Sequence, residues 1–498
     1  QCGYRPEHCS PSAPKTCVAN CDAQAPCGEF SAGGKKECPL SVCCSRHFGF
    51  CGTSDVFCRN ATYATAATTA DAGVPSCGKN SGTASRRVAY YQSWNSQTRA
   101  CDQVMPSQLN LAGITHLVLA FATIDPATFK VGMRDPSDKK VYEQFLRLDR
   151  VSKWIGIGGF QFSDGDQPTH QTFSRMASSK ENRKAFIESL QQFLSTWKFT
   201  GVDIDWEWPG NADRGGSPGD GANQVELLTE LRQALGTKIG LGVVLPSQYE
   251  YMKNMNPKGL QAQVDWLSIL TYDLHGVWDA GIPGLGAFIK PHTDLQEMEK
   301  ILDLIWNIPL DSKKVNMGIA NYGRGYTVAD KSCMHYGCPY TGPSKAGSCT
   351  LQEGILSSCE IRRMVSDRHL TWDIIAGGAE TNEVMWDDQW ISWDDDNTLS
   401  KKLELANDRC LGGTALWAID YDVCPTDGGS PQPGVPGSSM APSQPASSQA
   451  LSSPPWSGPS ESPSTSYQPS WFVWSSGLVW FLVGILGMVA GSIINHMG

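Results

Sequence analysis

The run GVDIDWEW (201–208) decides the fold, because it reads as an apolar strand that carries three acids on one face. Side chains alternate along a strand, so Asp203, Asp205 and Glu207 point one way and Ile204 and Trp206 the other. Seven further runs of the same kind flank it: RVAYYQSW (87–94), THLVLAFATI (115–124), KWIGIGGF (153–160), IGLGVVLP (239–246), VDWLSILTYD (264–273), VNMGIANYG (315–323) and GTALWAID (413–420). Near-continuous apolar strands separated by helical patterns imply a parallel sheet buried on both faces. Eight repeats over about 340 residues fit a (β/α)8 TIM barrel with an inserted α+β subdomain. The insertion is expected at 325–385, where Cys333, Cys338, Cys349 and Cys359 fall. An open doubly wound sheet is the alternative. In the barrel, the three acids face the interior and climb toward the C-terminal rim, where such folds place their sites.

The chain has 498 residues, of which 40% are hydrophobic and 18% charged, enough for a large core and for two to four units. Its formal charge of −10 argues against a nucleic-acid partner, which calls for a basic face. Ten of the 18 cysteines crowd the first 58 residues: Cys2, Cys9, Cys17, Cys21, Cys27, Cys38, Cys43, Cys44, Cys51 and Cys58. That density predicts a small disulfide-rich module in an oxidising compartment. Zinc is the competing reading, but the stretch has no CxxC pair and only His8 and His47. The pairing itself is not legible.

The chain divides into the module (1–58), a small-residue linker (59–85) holding a glycosylation sequon at Asn60, the barrel (86–424), a Pro/Ser/Gly-rich stalk (425–470) and a hydrophobic tail (471–498). The first residue shown is Gln1, so a removed leader is expected. The tail contains GLVWFLVGILGMVAGSII (477–494), long enough to span a membrane, but no Lys or Arg follows Arg409. A lipid-anchor (GPI) signal, with attachment at Ser460, Ser462 or Ser464, fits better than a plain span. The expected location is therefore secreted, at the cell wall or surface, with membrane contact only through the tail or a lipid anchor.

Three carboxylates about 7 Å apart on one buried face cannot all ionise cheaply. Either a metal neutralises them or some stay protonated, and a protonated carboxyl near neutral pH is what a general acid needs. Glu207 lies nearest the rim and is assigned the proton. The competing readings are an acidic metal site or a solvated strand edge. A metal site would want histidines or more acids from neighbouring strands, and the sequence clearly offers only Asp273.

On these residues the chain resembles glycoside hydrolase family 18, the chitinases. TGVDIDWEW is similar to the family's DGxDxDxE signature, and IGIGGF (155–160), with Gly159 and Phe160, is similar to its SxGG element. ILTYD (269–273), LWAID (416–420) and YYQSWN (90–95) resemble its third motif, last strand and first strand. The likeness covers roughly 86–424 and is nearest to fungal chitinases with chitin-binding modules and to killer-toxin docking subunits. It implies substrate-assisted retaining hydrolysis of β-1,4-linked N-acetylglucosamine polymers, without metal or organic cofactor, by a monomer. Glu207 would be proton donor, Asp205 would orient the acetamido N–H, Asp203 would hold Asp205, and Tyr272 would bind the acetamido oxygen. Trp417 would floor the distorted sugar, and Tyr91, Asp273, Gly159, Phe160 and Arg324 would line subsites. His275 is read as a buried, hydrogen-bonded histidine. The sequence departs from the pattern at Thr200, Gly156, Phe160 and Leu270. Thr200 and Gly156 are expected to deprive Asp203 of polar support.

CPLSVCCSRHFGFCGTSDVFC (38–58) resembles the hevein-like chitin-binding module, carbohydrate-binding module family 18. The resemblance implies that Ser45, Phe48, Phe50 and Phe57 bind chitin, although His47 looks like an inserted residue. Exposed aromatics on a stapled loop suit a pyranose chain. The competing reading is that the phenylalanines form the module's own small core. Two other functions stay open: a non-catalytic chitin lectin or docking subunit, and a family member that cuts the chitobiose core of N-glycans.

Overall fold

The computed structural model describes residues 25–29, 31–34, 36–45, 49–52, 55–58, 73–282 and 284–425. Asn60, Phe48, His47, the first four cysteines, nearly all of the stalk and the whole tail lie outside them. No helix among the described residues is long and apolar enough to cross a membrane.

All eight apolar runs are strands: β1 (Arg86–Gln92), β2 (His116–Ile124), β3 (Ser152–Gly158), β4 (Gly201–Asp205), β5 (Gly240–Leu245), β6 (Trp266–Ile269), β7 (Val315–Ala320) and β8 (Gly413–Trp417). Each pairs in parallel with the next. β8 then pairs with β1, so the sheet closes on itself and the open-sheet alternative is excluded. Several strands stop short of the apolar runs that announced them. β4 ends at Asp205, so Glu207 stands on the turn leaving the strand, not within it.

Alternation then sorts the side chains. Val202 and Ile204 join the shell packed against helices such as Lys180–Trp197 and Asp220–Leu235. Ser179 starts the first of these helices by capping the Asn182 N–H, and Lys198 ends it in the left-handed conformation. The interior is a separate column built from Val88, Tyr90, Val118, Ala120, Phe121, Trp154, Trp266 and Ala415. Trp154 and Trp266 stack at 3.8 Å between centroids near the strand starts, with the His116 ring edge-on to both. Glycines make the room: a Cβ at Gly201 or Gly240 would meet Trp154 ring atoms at 2.2 and 2.1 Å. Large rings opposite absent side chains fill the N-terminal mouth of the barrel.

After β7 the chain builds an antiparallel sheet: Tyr322–Val328, Tyr340–Pro343, Ile355–Ser357, Trp372–Ile374, Asn382–Trp386 and Gln389–Trp393. With the helix Ser358–Asp367 this is the α+β insertion. It runs wider than 325–385 because its central pairing sets Arg324 opposite Ser392.

Seven disulfides are described. Cys27–Cys44, Cys38–Cys51 and Cys43–Cys58 staple the module, which excludes zinc for these six sulfurs. Cys77–Cys410 joins the approach to β1 to the approach to β8, Cys101–Cys349 ties the β1–β2 connection to the insertion, and Cys333–Cys338 and Cys359–Cys424 complete the set.

Candidate active site

Asp203 and Asp205 of β4 and Glu207 on the turn after it meet at the C-terminal mouth, and all three are buried. Asp203 lies deepest. The Tyr90 hydroxyl donates to its Oδ2 at 2.7 Å, and the Trp266 indole N–H points at the same carboxyl without closing a well-aligned bond. Burial raises the Asp203 pKa to about 6, with these donors holding it down. Asp205 is driven well above the carboxylate range by burial, then by the neighbouring charges of Glu207 and Asp203. Its carboxyl lies beside that of Glu207, within reach of a carboxyl–carboxyl hydrogen bond. The Oδ1 of Asp205 is buried and has no partner among the described residues. Burial raises Glu207 to about 8, against the opposing pull of the Arg214 charge. Two neighbouring carboxyls thus hold a proton near neutral pH, the condition a general acid requires.

Tyr272, on the turn after β6, faces this cluster, and burial followed by the charges of Asp205 and Glu207 keeps its hydroxyl protonated. Trp417 ends β8 half-buried, nearly parallel to Phe121 with centroids 5.7 Å apart and tilted against Tyr90 at 5.7 Å. Asp273 has a left-handed backbone (φ 56°) and accepts both arms of Arg324 at 2.7 and 2.6 Å and the Tyr322 hydroxyl at 2.5 Å. Burial alone would raise its pKa, yet Arg324 and His292 hold it far below the usual range. Gly159 (φ 89°) donates its N–H to the Asp205 carbonyl at 2.9 Å, and a Cβ there would strike Phe121 at 2.4 Å. Phe160 follows it onto the rim, 57% exposed.

Three expectations are corrected. Tyr91 is not in the cleft. It is fully buried on the outer face of β1, its hydroxyl donating to the Val104 carbonyl at 2.7 Å, and Tyr90 takes the inner face. Thr200 does not touch Asp203, because it precedes β4 at the opposite end, exposed and bonded to Ser152 and the Lys153 carbonyl. Gly156 does lie beside Asp203 in register, but the space over it is filled: a Cβ would meet Phe121 at 2.8 Å. His275 is buried between Asp279 at 2.6 Å and Glu297 at 2.8 Å.

The sequence reading passed over Tyr90, Trp278 and Arg214. Trp278 is 42% exposed, with its ring on Gly276 and the Arg324 guanidinium 4.7 Å above it. The neighbouring HG in TYDLHG was the available signal for Trp278. For Arg214 there was none. In the module, Ser45 is buried and shares backbone bonds with Gly49 and Phe50. Phe50 and Phe57 are half-buried, and the Phe57 ring lies over Gly52, where a Cβ would come within 2.4 Å.

Residues 86–422 match the family described as Glycosyl hydrolases family 18, and the chain belongs to that family. Residues 26–66 match the family described as Chitin recognition protein, so a hevein-like module precedes the barrel. The chain is 29% identical over 412 residues to the secreted chitinase LysM12 of Penicillium expansum, covering 77% of this chain and 27% of the relative. It is 27% identical to the killer toxin subunits alpha/beta of Kluyveromyces lactis, covering 81% of this chain and 35% of the relative. The chain thus spans about a third of the length of the curated relatives it matches. Among solved structures, catalytic domain 2 of the Ostrinia furnacalis group II chitinase, in complex with a chitin oligosaccharide, superposes with a TM-score of 0.61. It is 26% identical and covers 68% of this chain and 90% of that one.

Proposed function

We propose that the protein is a chitinase that cleaves β-1,4-linked N-acetylglucosamine chains with retention, held on its polymer by the N-terminal module. The observation that carries this reading is the burial of Asp203, Asp205 and Glu207 together at the barrel mouth, which raises Glu207 to about 8. Glu207 gives its proton to the glycosidic oxygen. The substrate's acetamido oxygen attacks the anomeric carbon, forming an oxazolinium ion as the leaving sugar departs. Asp205, with an unpartnered buried oxygen, takes the acetamido N–H and offsets the developing positive charge. The protonated Tyr272 hydroxyl donates to the acetamido oxygen and fixes its approach. Glu207, now ionised, accepts a proton from the water that opens the oxazolinium ion. Trp417 supplies the floor, while Asp273, Arg324, Gly159 and Phe160 shape the subsites. The module, through Ser45, Phe48, Phe50 and Phe57, raises the local concentration of enzyme on chitin.

The chain order is module, linker, barrel, stalk and hydrophobic anchor signal, which suits a glycosylated, secreted enzyme displayed at the wall or on a lipid anchor.

The test is hydrolysis of a short chitin oligomer by wild type and Glu207→Gln, following product anomers at early times. Release of β-anomer by wild type alone is expected. No turnover by either, with chitin still bound, would replace the enzyme by a lectin or docking subunit.

A further inference from the structure

One guanidinium outside the acid cluster touches both the cleft rim and the turn that carries Glu207. Arg214 closes the short turn Ala212–Arg214, where the Asn211 side chain accepts its backbone N–H. The turn is fixed on both sides. Gly215 (φ 70°) sits so close to the His170 carbonyl that a Cβ would lie 2.0 Å away, and buried Asp220 accepts the N–H groups of Gly210 and Ser217. From this frame the Arg214 side chain, 12% exposed, crosses to the loop after β3. It pairs with Asp164 at 2.5 Å and donates to the Phe160 carbonyl. Its Cζ lies 3.8 Å from the Phe160 ring centroid, over the ring, and its Nε donates to the Glu207 carbonyl at 3.2 Å.

We propose that Arg214 is a positioning residue that clamps the exposed Phe160 ring as a sugar platform and places a fixed positive charge beside the Glu207 proton donor. The inference rests on the hydrolase reading above. A ring more than half in water has little packing to hold it, and a guanidinium over its face that is also bonded to that residue's carbonyl supplies a further restraint. The second effect follows from the charges around Glu207: Asp203 and Asp205 on β4, Asp164 on the β3 loop, and Tyr272 and Asp273 after β6. Arg324 is committed to Asp273, which leaves Arg214 as the cation that acts on Glu207 most directly.

The experiment measures kcat, KM and the pH dependence of kcat/KM on a chitin oligomer for wild type, Arg214→Ala, Arg214→Lys and Phe160→Ala. Arg214→Ala is expected to raise KM about fivefold and to move the alkaline limb up by roughly half a pH unit or more. Arg214→Lys keeps the limb but not the full platform, and Phe160→Ala raises KM without moving the limb. Wild-type values of both in Arg214→Ala overturn the proposal, as does an equal limb shift in Phe160→Ala. If Arg214→Ala does not fold, Arg214→Lys decides, and an unchanged KM there removes the clamp. If wild type does not cleave at all, it is the hydrolase reading that falls. The inference is then decided by oligomer affinity, from tryptophan fluorescence, and by carbon-13 titration of Glu207, each in wild type and Arg214→Ala. Affinity and titration that both stay put overturn it.

Discussion

The three acids that β4 and its following turn carry differ in what faces them. Asp203 is held by Tyr90 and titrates at about 6, whereas Glu207 keeps its proton to about 8 because burial outweighs the Arg214 charge. Hydrolysis that needs one acid charged and one protonated should follow a bell, rising through about 6 and falling through about 8, with limbs that belong to the coupled cluster. Tyr90→Phe removes a donor that favours ionised Asp203, so the acid limb should move up by roughly half to one pH unit in a kcat/KM profile. An unmoved limb would mean the hydroxyl does not set this charge. The acids themselves were legible, since a strand puts alternate residues on one face. Tyr90 against Tyr91 was not, because RVAYYQSW is apolar on both faces and its parity shows only against a partner strand. Arg214 was invisible, since its partners lie on a loop some fifty residues earlier in the chain.

Between elements, His275 joins the turn after β6 to the helix Leu295–Ile305 by bonding Asp279 on one side and Glu297 on the other. Burial alone would lower its pKa, but the two carboxylates raise it from 6.5 to about 9. Its folded-state pKa is above the unfolded one, so its stabilisation is complete below about 6.5 and is lost as pH rises through about 9. Urea midpoints should fall across that window in wild type, and His275→Gln should start lower and fall less. A parallel decline in both would place the pH dependence elsewhere. Strand identities at this scale were legible from apolar runs. Strand ends were not, because the runs continue into turns whose buried residues, Trp206 and Trp208 among them, are as apolar as the strand. The insertion's limits were blurred likewise, since its sheet opens at Tyr322, two residues after β7 ends at Ala320.

At the scale of the molecule, closure depends on β1 meeting β8, and the chain reinforces that seam covalently. Cys77–Cys410 spans 333 residues, and beside it Ala84 donates its N–H to the Asn407 side chain. Joining positions so far apart restricts the unfolded chain strongly, so replacing both cysteines by serine should cost about 2–5 kcal/mol and lower Tm by several degrees. Calorimetry of the double variant beside wild type measures it, and an unchanged Tm would show that strand pairing alone holds the seam. The barrel was legible from the count of eight, but this pairing was not, because it follows from where the first and last strands meet.

The stacked Trp154 and Trp266 have a consequence for traffic. Among the described residues they plug the barrel interior at the strand starts, which leaves the mouth where the acids stand as its open end. In the proposed reaction, the water that finishes each cycle must come in through the doorway by which the released sugar goes out. A departing chain that lingers there stands between the intermediate and the solvent, and its own hydroxyl is then the nucleophile first in line.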